Sequence, residues 1–541
     1  MTTAASEPGA VRRSATGMGI ATALSRGIGF LKVLGIAAIL GTTYLGNTFT
    51  SSNYVSNVLF ELLAAGALSA VLVPTMVEIL DRGDERQAEH VAGALLGRAL
   101  LVLGVVTVVG VIAAPWIAEV LTAGVNDQKI AQEQQELATF LLRFFIPQVL
   151  LYAFGTVSIA VMYAKRKLVV PALAPIANTI VIVTGLLIFR ALAGPDPGLD
   201  LTTAEQLVLA LSGTLGVAAL VAVVGIGLRR TGFRLRPRFS RRDEAVSRLM
   251  RLSGWAILFH AQIGLLLGAA IILGNSVKGG TVAYQVDWVF FLAPYSVLAL
   301  PILTAILPDL TRDAGAEQFD GYAQSLRWAV GSIAMLVLPV TAVMMALAKP
   351  GMKVVAFGQV GHEGVGLLAA GMAALALGLL PYCLFQMLAR SYYTLGNSRR
   401  PAITAIGAAV LGVTFMVTAA PFTSGTARVA VLGLGHTVTY FIGSILLTIG
   451  LVRRTGHFFI PAVIWRMIAL VVPIGFGMWW VARTIDPTGR LANLALVLGC
   501  VVVGGALYLA GLRLTGAWVS RKRDVPLAVE ELEPDSAEVD A

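Results

Sequence analysis

Apolar runs long enough to cross a bilayer as helices recur along this chain from one end to the other. A transmembrane helix needs about 20 mostly apolar residues. Inside hydrocarbon the backbone must satisfy its own hydrogen bonds, and a helix does so within one segment. The runs give about fourteen spans, near 17–41, 46–80, 92–123, 137–164, 168–193, 204–228, 246–274, 281–309, 323–348, 364–393, 401–420, 427–452, 460–483 and 489–516. Of 541 residues, 57% are hydrophobic and 13% charged, against roughly 25% charged in soluble proteins. The expected class is an all-α, polytopic membrane protein. No stretch between the runs is long enough to bury a soluble core of its own.

The placement of cations gives the expected topology. One alternate set of loops holds Arg12 and Arg13, Arg82 and Arg86, Lys165 to Lys167, the run from Arg229 to Arg242, Arg312, Arg399 and Arg400, Arg453 and Arg454, and Arg521 to Arg523. The other holds Lys129, Lys278, Lys349 and Lys353, with Arg483 and Arg490 at its edges. The positive-inside rule makes the first set cytoplasmic, and with it both termini. The net charge of +10 then faces anionic lipid head groups, which are expected partners. Nucleic acid is not expected, because no folded basic groove accompanies the charge.

The organisation expected is a cytoplasmic tail (1–16), a six-helix lobe (17–228), a basic linker (229–245), a second six-helix lobe (246–452), an extra helix pair (453–516) and an acidic cytoplasmic tail (517–541). Duplicated transporter cores place their substrate between the halves near mid-membrane. The pair Gly93 and Gly97 has the spacing that lets helices approach closely, though in a chain with 57 glycines such a pair more often arises by chance.

Several classes of chemistry are absent. Cys383 and Cys500 lie in apolar runs and suggest neither a disulfide nor a metal site. The five histidines lack metal-ligand spacing, and no Walker A motif or Asp-x-Asp pair occurs. No enzyme activity and no cofactor is expected. A coupling cation, or the membrane potential, remains the energy source to consider.

Charged residues inside the spans carry the functional signal. Arg26 and Lys32 lie within the first span, where a cation costs at least ~2.5–3.5 kcal/mol at the bilayer centre. Two readings stand: they face a watery cavity suited to an anionic cargo, or they snorkel or pair with a carboxylate. Glu61 and Asp287 are the deepest carboxylates, able to neutralise those cations or to bind a coupling cation. Asp287 sits in YQVDWVFFLAPY (284–295), whose Pro294 frees backbone carbonyls. Arg390 lies near a cytoplasmic end, where snorkelling, phosphate contact and a cavity role are all open. Arg143, His260, His436 and Arg466 also fall inside spans, the two histidines reading as hydrogen-bonded structural groups.

In order along the chain stand SRGIGFLK (25–32), NVLFELLAAGALSAVLVP (57–74), PALAPIAN (171–178), FGQVGHEGV (357–365) and RSYYTLGNSRRP (390–401). Together they resemble the MurJ/MviN lipid II flippases, within the multidrug/oligosaccharidyl-lipid/polysaccharide exporter superfamily. The resemblance implies a V-shaped pair of six-helix lobes around a cationic cavity, and two further helices whose groove admits a lipid tail. It implies movement of an undecaprenyl-pyrophosphate-linked disaccharide-pentapeptide from the inner to the outer leaflet of a bacterial cytoplasmic membrane. Arg26 matches the family's first cavity arginine, Lys32 stands where the second usually falls, and Asp287 matches an acidic position in the eighth span.

The chain also departs from that pattern. Ala65 replaces the acid of the family's EGA triplet, with Glu61 one helical turn earlier. Asn47 stands where an acid is common, Trp288 where a basic residue can follow the eighth-span acid, and Phe60–Glu61 where arginines are usual. The expected function is therefore a flippase for a lipid-linked anionic glycan, lipid II being the best single candidate. The alternatives are a small-molecule antiporter of the same superfamily and a non-transporting scaffold that recruits cell-wall synthesis proteins.

Overall fold

The structure, a computed structural model, describes residues 24–25, 27–60, 66–239 and 244–519. Among these there is no strand. The helices are α1 (Gly27–Leu40), α2 (Tyr44–Phe60), α3 (Gly66–Asp81), α4 (Glu85–Ile112), α5 (Ala114–Thr122), α6 (Gln128–Phe145), α7 (Gln148–Ala164), α8 (Val169–Ala193), α9 (Thr203–Arg229) and α10 (Glu244–Gly274). Then come α11 (Gly280–Pro294), α12 (Leu300–Gly315), α13 (Phe319–Ala346), α14 (Ala348–Val355), α15 (His362–Ala376), α16 (Leu379–Thr394), α17 (Arg399–Ala419), α18 (Gly425–Thr455), α19 (Val463–Ile485) and α20 (Arg490–Leu514).

Eleven described helices are long and apolar enough to cross a membrane, or up to 12 if the pair α15–α16, bent by 46°, is one span. With that pair counted, the twelve follow the order of the expected third to fourteenth spans, although the third runs Glu85–Ile112 where 92–123 was expected and the fourth begins at Gln128 where 137 was expected. The expected spans 17–41 and 46–80 both include residues outside the described set, so the count of about fourteen is not reached. The split between the fourth and fifth spans is a short turn: α7 stops at Ala164 and α8 starts at Val169. Arg166 takes a positive φ of 58° there.

Local chemistry sets the helix ends. Asp84 accepts from Gln87 N at 2.8 Å, and Asp127 accepts from Lys129 N at 2.9 Å. Thr202 and Glu205 form a reciprocal capping box at the start of α9. These caps occupy backbone N–H groups that a helix start leaves unpaired. After Pro294 the chain makes one π turn, Tyr295–Ala299, before α12 resumes, the backbone loosening that a proline inside a membrane helix was expected to bring.

Exposed side chains on the helix flanks are large and apolar, among them Val105, Ile112, Trp465, Val502 and Leu507. Lipid tails are as apolar as these groups, so their exposure carries no penalty in a bilayer. The core consists of several buried clusters. A large one joins α10 to α13 with α16 to α20, and a second joins α3, α4, α7 and α9.

Helix α1 lies on the seam between the helices preceding residue 230 and those following 244. Val33, Leu34 and Ala37 pack with Val282, Val286, Met352 and Leu367 of the later group. Ile36 and Leu40 pack with Leu45, Leu141 and Leu186 of the earlier one. Phe30 meets Phe290 edge-on at 4.7 Å.

The glycine pair Gly93 and Gly97 is neither idle nor a helix–helix contact. The basic linker lies across it: Arg238 N donates to Gly93 O at 2.9 Å, and a Cβ at either glycine would collide with the backbone of Arg236 or Arg238. Arg234 N also donates to Glu89 Oε1 at 2.7 Å. The linker is thus held on α4 by its backbone, which only glycine surfaces admit so closely.

Candidate functional site

Lys32 is the described cation of the first span. It lies nine residues before Gly41, where α1 has ended, about 13 Å along the axis at 1.5 Å per residue, a distance close to half of a ~30 Å hydrocarbon core. Its side chain is half-buried, and its Nζ donates to Asn178 Oδ1 of α8 at 3.3 Å. No carboxylate pairs with it among the described residues. The neutral amide offers one acceptor to an ammonium with three donors, which leaves capacity for an anion. Asn178 comes from PALAPIAN, so two of the sequence motifs meet here. Arg26 and Glu61 lie outside the described residues.

Asp287, on α11, is fully buried, and neither carboxylate oxygen finds a hydrogen-bond partner among the described residues. Gly371 of α15 presses against Oδ2, and a Cβ there would strike it. Tyr284 Oη and His436 Nε2 are 2.6 Å apart nearby, which fits the expectation of His436 as a hydrogen-bonded structural group. The imidazole lies tilted against Trp288 at 4.8 Å and 5.9 Å from Tyr440. His436 Nδ1 and Tyr440 Oη have no partner among the described residues.

Asp287 and Lys32 therefore sit on adjoining helices, with different neighbours and no bond between them. Arg390, on α16, is half-buried and meets no carboxylate among the described residues. Arg143 is exposed on α6. Arg466 is also exposed, and donates to Thr515 O at 3.2 Å.

Asn47 is the residue whose role sequence reading missed. It is fully buried and joins α2 to the start of α11: Nδ2 donates to Val277 O at 2.7 Å, while Oδ1 accepts from Thr281 N at 3.1 Å and Val282 N at 3.4 Å. An aspartate here would supply the acceptor but not the donor. The substitution was visible in sequence, but its partners lie about 230 residues away.

The same end of the molecule carries more bonds across the seam. Asn275 Nδ2 donates to Leu121 O at 3.0 Å, and Gln359 N donates to Ala38 O at 2.9 Å. Gly279, at φ 76°, lies against Thr42 where no side chain fits. This end, where α1 terminates, is closed. Beside it Asp486 accepts from Lys353 at 2.7 Å and Lys349 at 3.1 Å, tying α14 to the α19–α20 connection.

The architecture matches solved membrane transporters. A structure described as "Lipid II flippase MurJ, inward closed conformation" aligns with a TM-score of 0.73 at 16% identity, covering 92% of this chain and 98% of that one. An inward-facing multidrug resistance MATE family transporter of the MOP superfamily aligns with a TM-score of 0.64 at 15% identity, covering 79% and 94%. The fold is thus that of a multi-pass membrane protein of the kind shared by MurJ and MATE transporters.

Sequence narrows this class. The profile "MurJ: Lipid II flippase MurJ" matches residues 36–497, and the chain belongs to that family. The "Probable lipid II flippase MurJ" of Haemophilus influenzae is 24% identical over 530 residues, covering 91% of this chain and 98% of that protein. The "Lipid II flippase MurJ" of Burkholderia cenocepacia is 22% identical over 515 residues, covering 92% and 95%. The chain is a multi-pass protein of the bacterial inner membrane, in a family of transporters.

Proposed function

We propose that this protein moves a polyprenyl-pyrophosphate-linked cell-wall precursor, lipid II, from the inner to the outer leaflet by alternating access. The observation that carries the reading is Lys32: an ammonium about halfway through the first membrane helix, on the seam, bonded only to a neutral amide among the described residues. Lys32 and Arg26 bind the pyrophosphate by charge-assisted hydrogen bonds. Lys32 acts as a point charge and lacks the planar fork of arginine. Arg390 supplies a further cation on the path.

The division into two six-helix lobes and a final pair belongs to this proposal, as does the topology. The closed end is the outer face, and both termini are cytoplasmic, which agrees with the loop charges. A recess of about 200 Å³ between α13, α19 and α20, lined by Val343, Ile474, Met478, Val501 and Tyr508, supports a route for the lipid tail. No covalent step is required of the protein. Asp287 takes up the coupling cation or proton, because a carboxylate buried without partners among the described residues is tolerated only when neutralised; Glu61, the other carboxylate that the sequence places inside a span, shares that role in this proposal. The membrane potential contributes ~2.3 kcal/mol per charge per 100 mV. Enzymes that polymerise the precursor at the outer leaflet are the partners this function calls for.

The test is leaflet-resolved lipid II in cells depleted of the protein and rescued with wild type, Lys32→Arg or Lys32→Gln. Wild type and Lys32→Arg restore the outer-leaflet pool. Lys32→Gln, inserted at the same level, leaves the precursor on the inner leaflet. A normal outer-leaflet pool during depletion, with no redundant carrier present, rejects the proposal.

A further inference from the structure

A second cationic recess lies away from the seam, between α17 and α18. It has a volume of about 600 Å³ and is lined by Arg399, Arg400 and Arg453 at one end and Ile403, Leu446 and Ile449 at the other. The spacing explains the shape. Arg399 and Ile403 are one turn apart on α17; Leu446, Ile449 and Arg453 follow one stripe of α18 at three- and four-residue steps. The helices are antiparallel neighbours, so the arginines meet at one membrane boundary and the aliphatic groups run together into the hydrocarbon.

The arginines are held open for an anion. None pairs with a carboxylate among the described residues, and all three are exposed. Arg399 stacks over Trp255 at 5.7 Å. Arg400 lies against Gly450, where a Cβ would crowd its guanidinium at 2.6 Å, and its backbone N–H donates to Asn397 Oδ1 at 3.1 Å. Ile403, Leu446 and Ile449 are 50%, 44% and 42% exposed. An occupant must therefore be anionic at the boundary and apolar below it, with its long axis along the membrane normal.

We propose that this recess is a binding site for an anionic glycerophospholipid of the surrounding leaflet, its phosphodiester on Arg399, Arg400 and Arg453 and an acyl chain along Ile403, Leu446 and Ile449. Basic pockets between membrane helices bind such head groups, and guanidinium forks match phosphate oxygens bidentately. A soluble phosphate would leave the aliphatic wall unused. The site is separate from Lys32 and does not depend on the cargo, so the proposal stands or falls apart from the flippase reading.

The experiment is native mass spectrometry of the detergent-purified full chain with added palmitoyl-oleoyl phosphatidylglycerol or phosphatidylcholine. Wild type binds the first phosphatidylglycerol more tightly than phosphatidylcholine. Each arginine changed to glutamine weakens phosphatidylglycerol binding about fivefold. The triple variant R399Q/R400Q/R453Q loses the preference, the triple lysine variant keeps part of it, and Lys278→Gln keeps all of it. Melting temperature and size-exclusion profile establish that each variant is folded; if the triple glutamine variant is not, the three single variants decide. Equal binding of the two lipids by wild type overturns the proposal. So does a preference unchanged in the glutamine variants, or displacement of the lipid by millimolar sodium pyrophosphate, which would mark a soluble polyanion site.

Discussion

Replacing Asn47 with leucine, nearly isosteric, tests whether the closed end is held by specific bonds. The side chain makes its hydrogen bonds across the seam in a fully buried position. Thr281 is also fully buried, so its N–H would lose an acceptor with no water to replace it, costing about 1–3 kcal/mol. Val277 is half-buried and its carbonyl can rehydrate, so that loss is nearer ~1 kcal/mol. The sum, about 3 kcal/mol, shifts an open–closed equilibrium roughly a hundredfold. A population near ~1% open, typical of a minor state, would rise to about half.

The assay is double electron–electron resonance between spin labels at Lys129→Cys and Lys278→Cys, both exposed, with Cys383 and Cys500 replaced by alanine. Asn47→Leu adds a longer-distance population. Asn47→Asp keeps the acceptor for Thr281 and shifts less. An unchanged distance distribution in a folded Asn47→Leu protein would refute the reasoning.

Two other outcomes follow from contacts described above. Gly97→Val forces the linker off α4, because the new side chain meets the Arg238 backbone, and trypsin then cleaves faster at Arg234 and Arg238. Gly104→Val, with nothing within 4 Å, leaves the cleavage rate unchanged. The Asp486 carboxyl is held below its usual range by the hydrogen bond from Lys353 first and that from Lys349 second. A lowered native pKa contributes stability above the unfolded-state value and loses it as pH falls through the native one. Asp486→Asn therefore melts below wild type at pH 7, and the gap closes on acidification beneath the ordinary carboxylate range. A gap that persists at low pH would contradict this origin.

The class of the protein and the order and approximate placement of its spans from the third onward were legible because hydrocarbon imposes one local rule, a run of apolar residues about 20 long. Lys32 and Asp287 stood out for the same reason, since intramembrane charge is costly wherever the rest of the fold lies. Sequence by itself thus determined what must sit in lipid and which groups resist it. It did not determine where those groups go: Lys32 meets Asn178 of α8, and Asp287 packs beneath Gly371 of α15 with no ion pair among the described residues. Nor could it assign Asn47, whose amide matters only because α11 begins beside α2, or Gly93 and Gly97, which admit a linker backbone in place of a helix. Apolar helices are equally content against lipid or against one another, so hydropathy carries little information about which neighbours they choose. Tertiary structure decides that through close packing and the few buried polar bonds that only one arrangement satisfies.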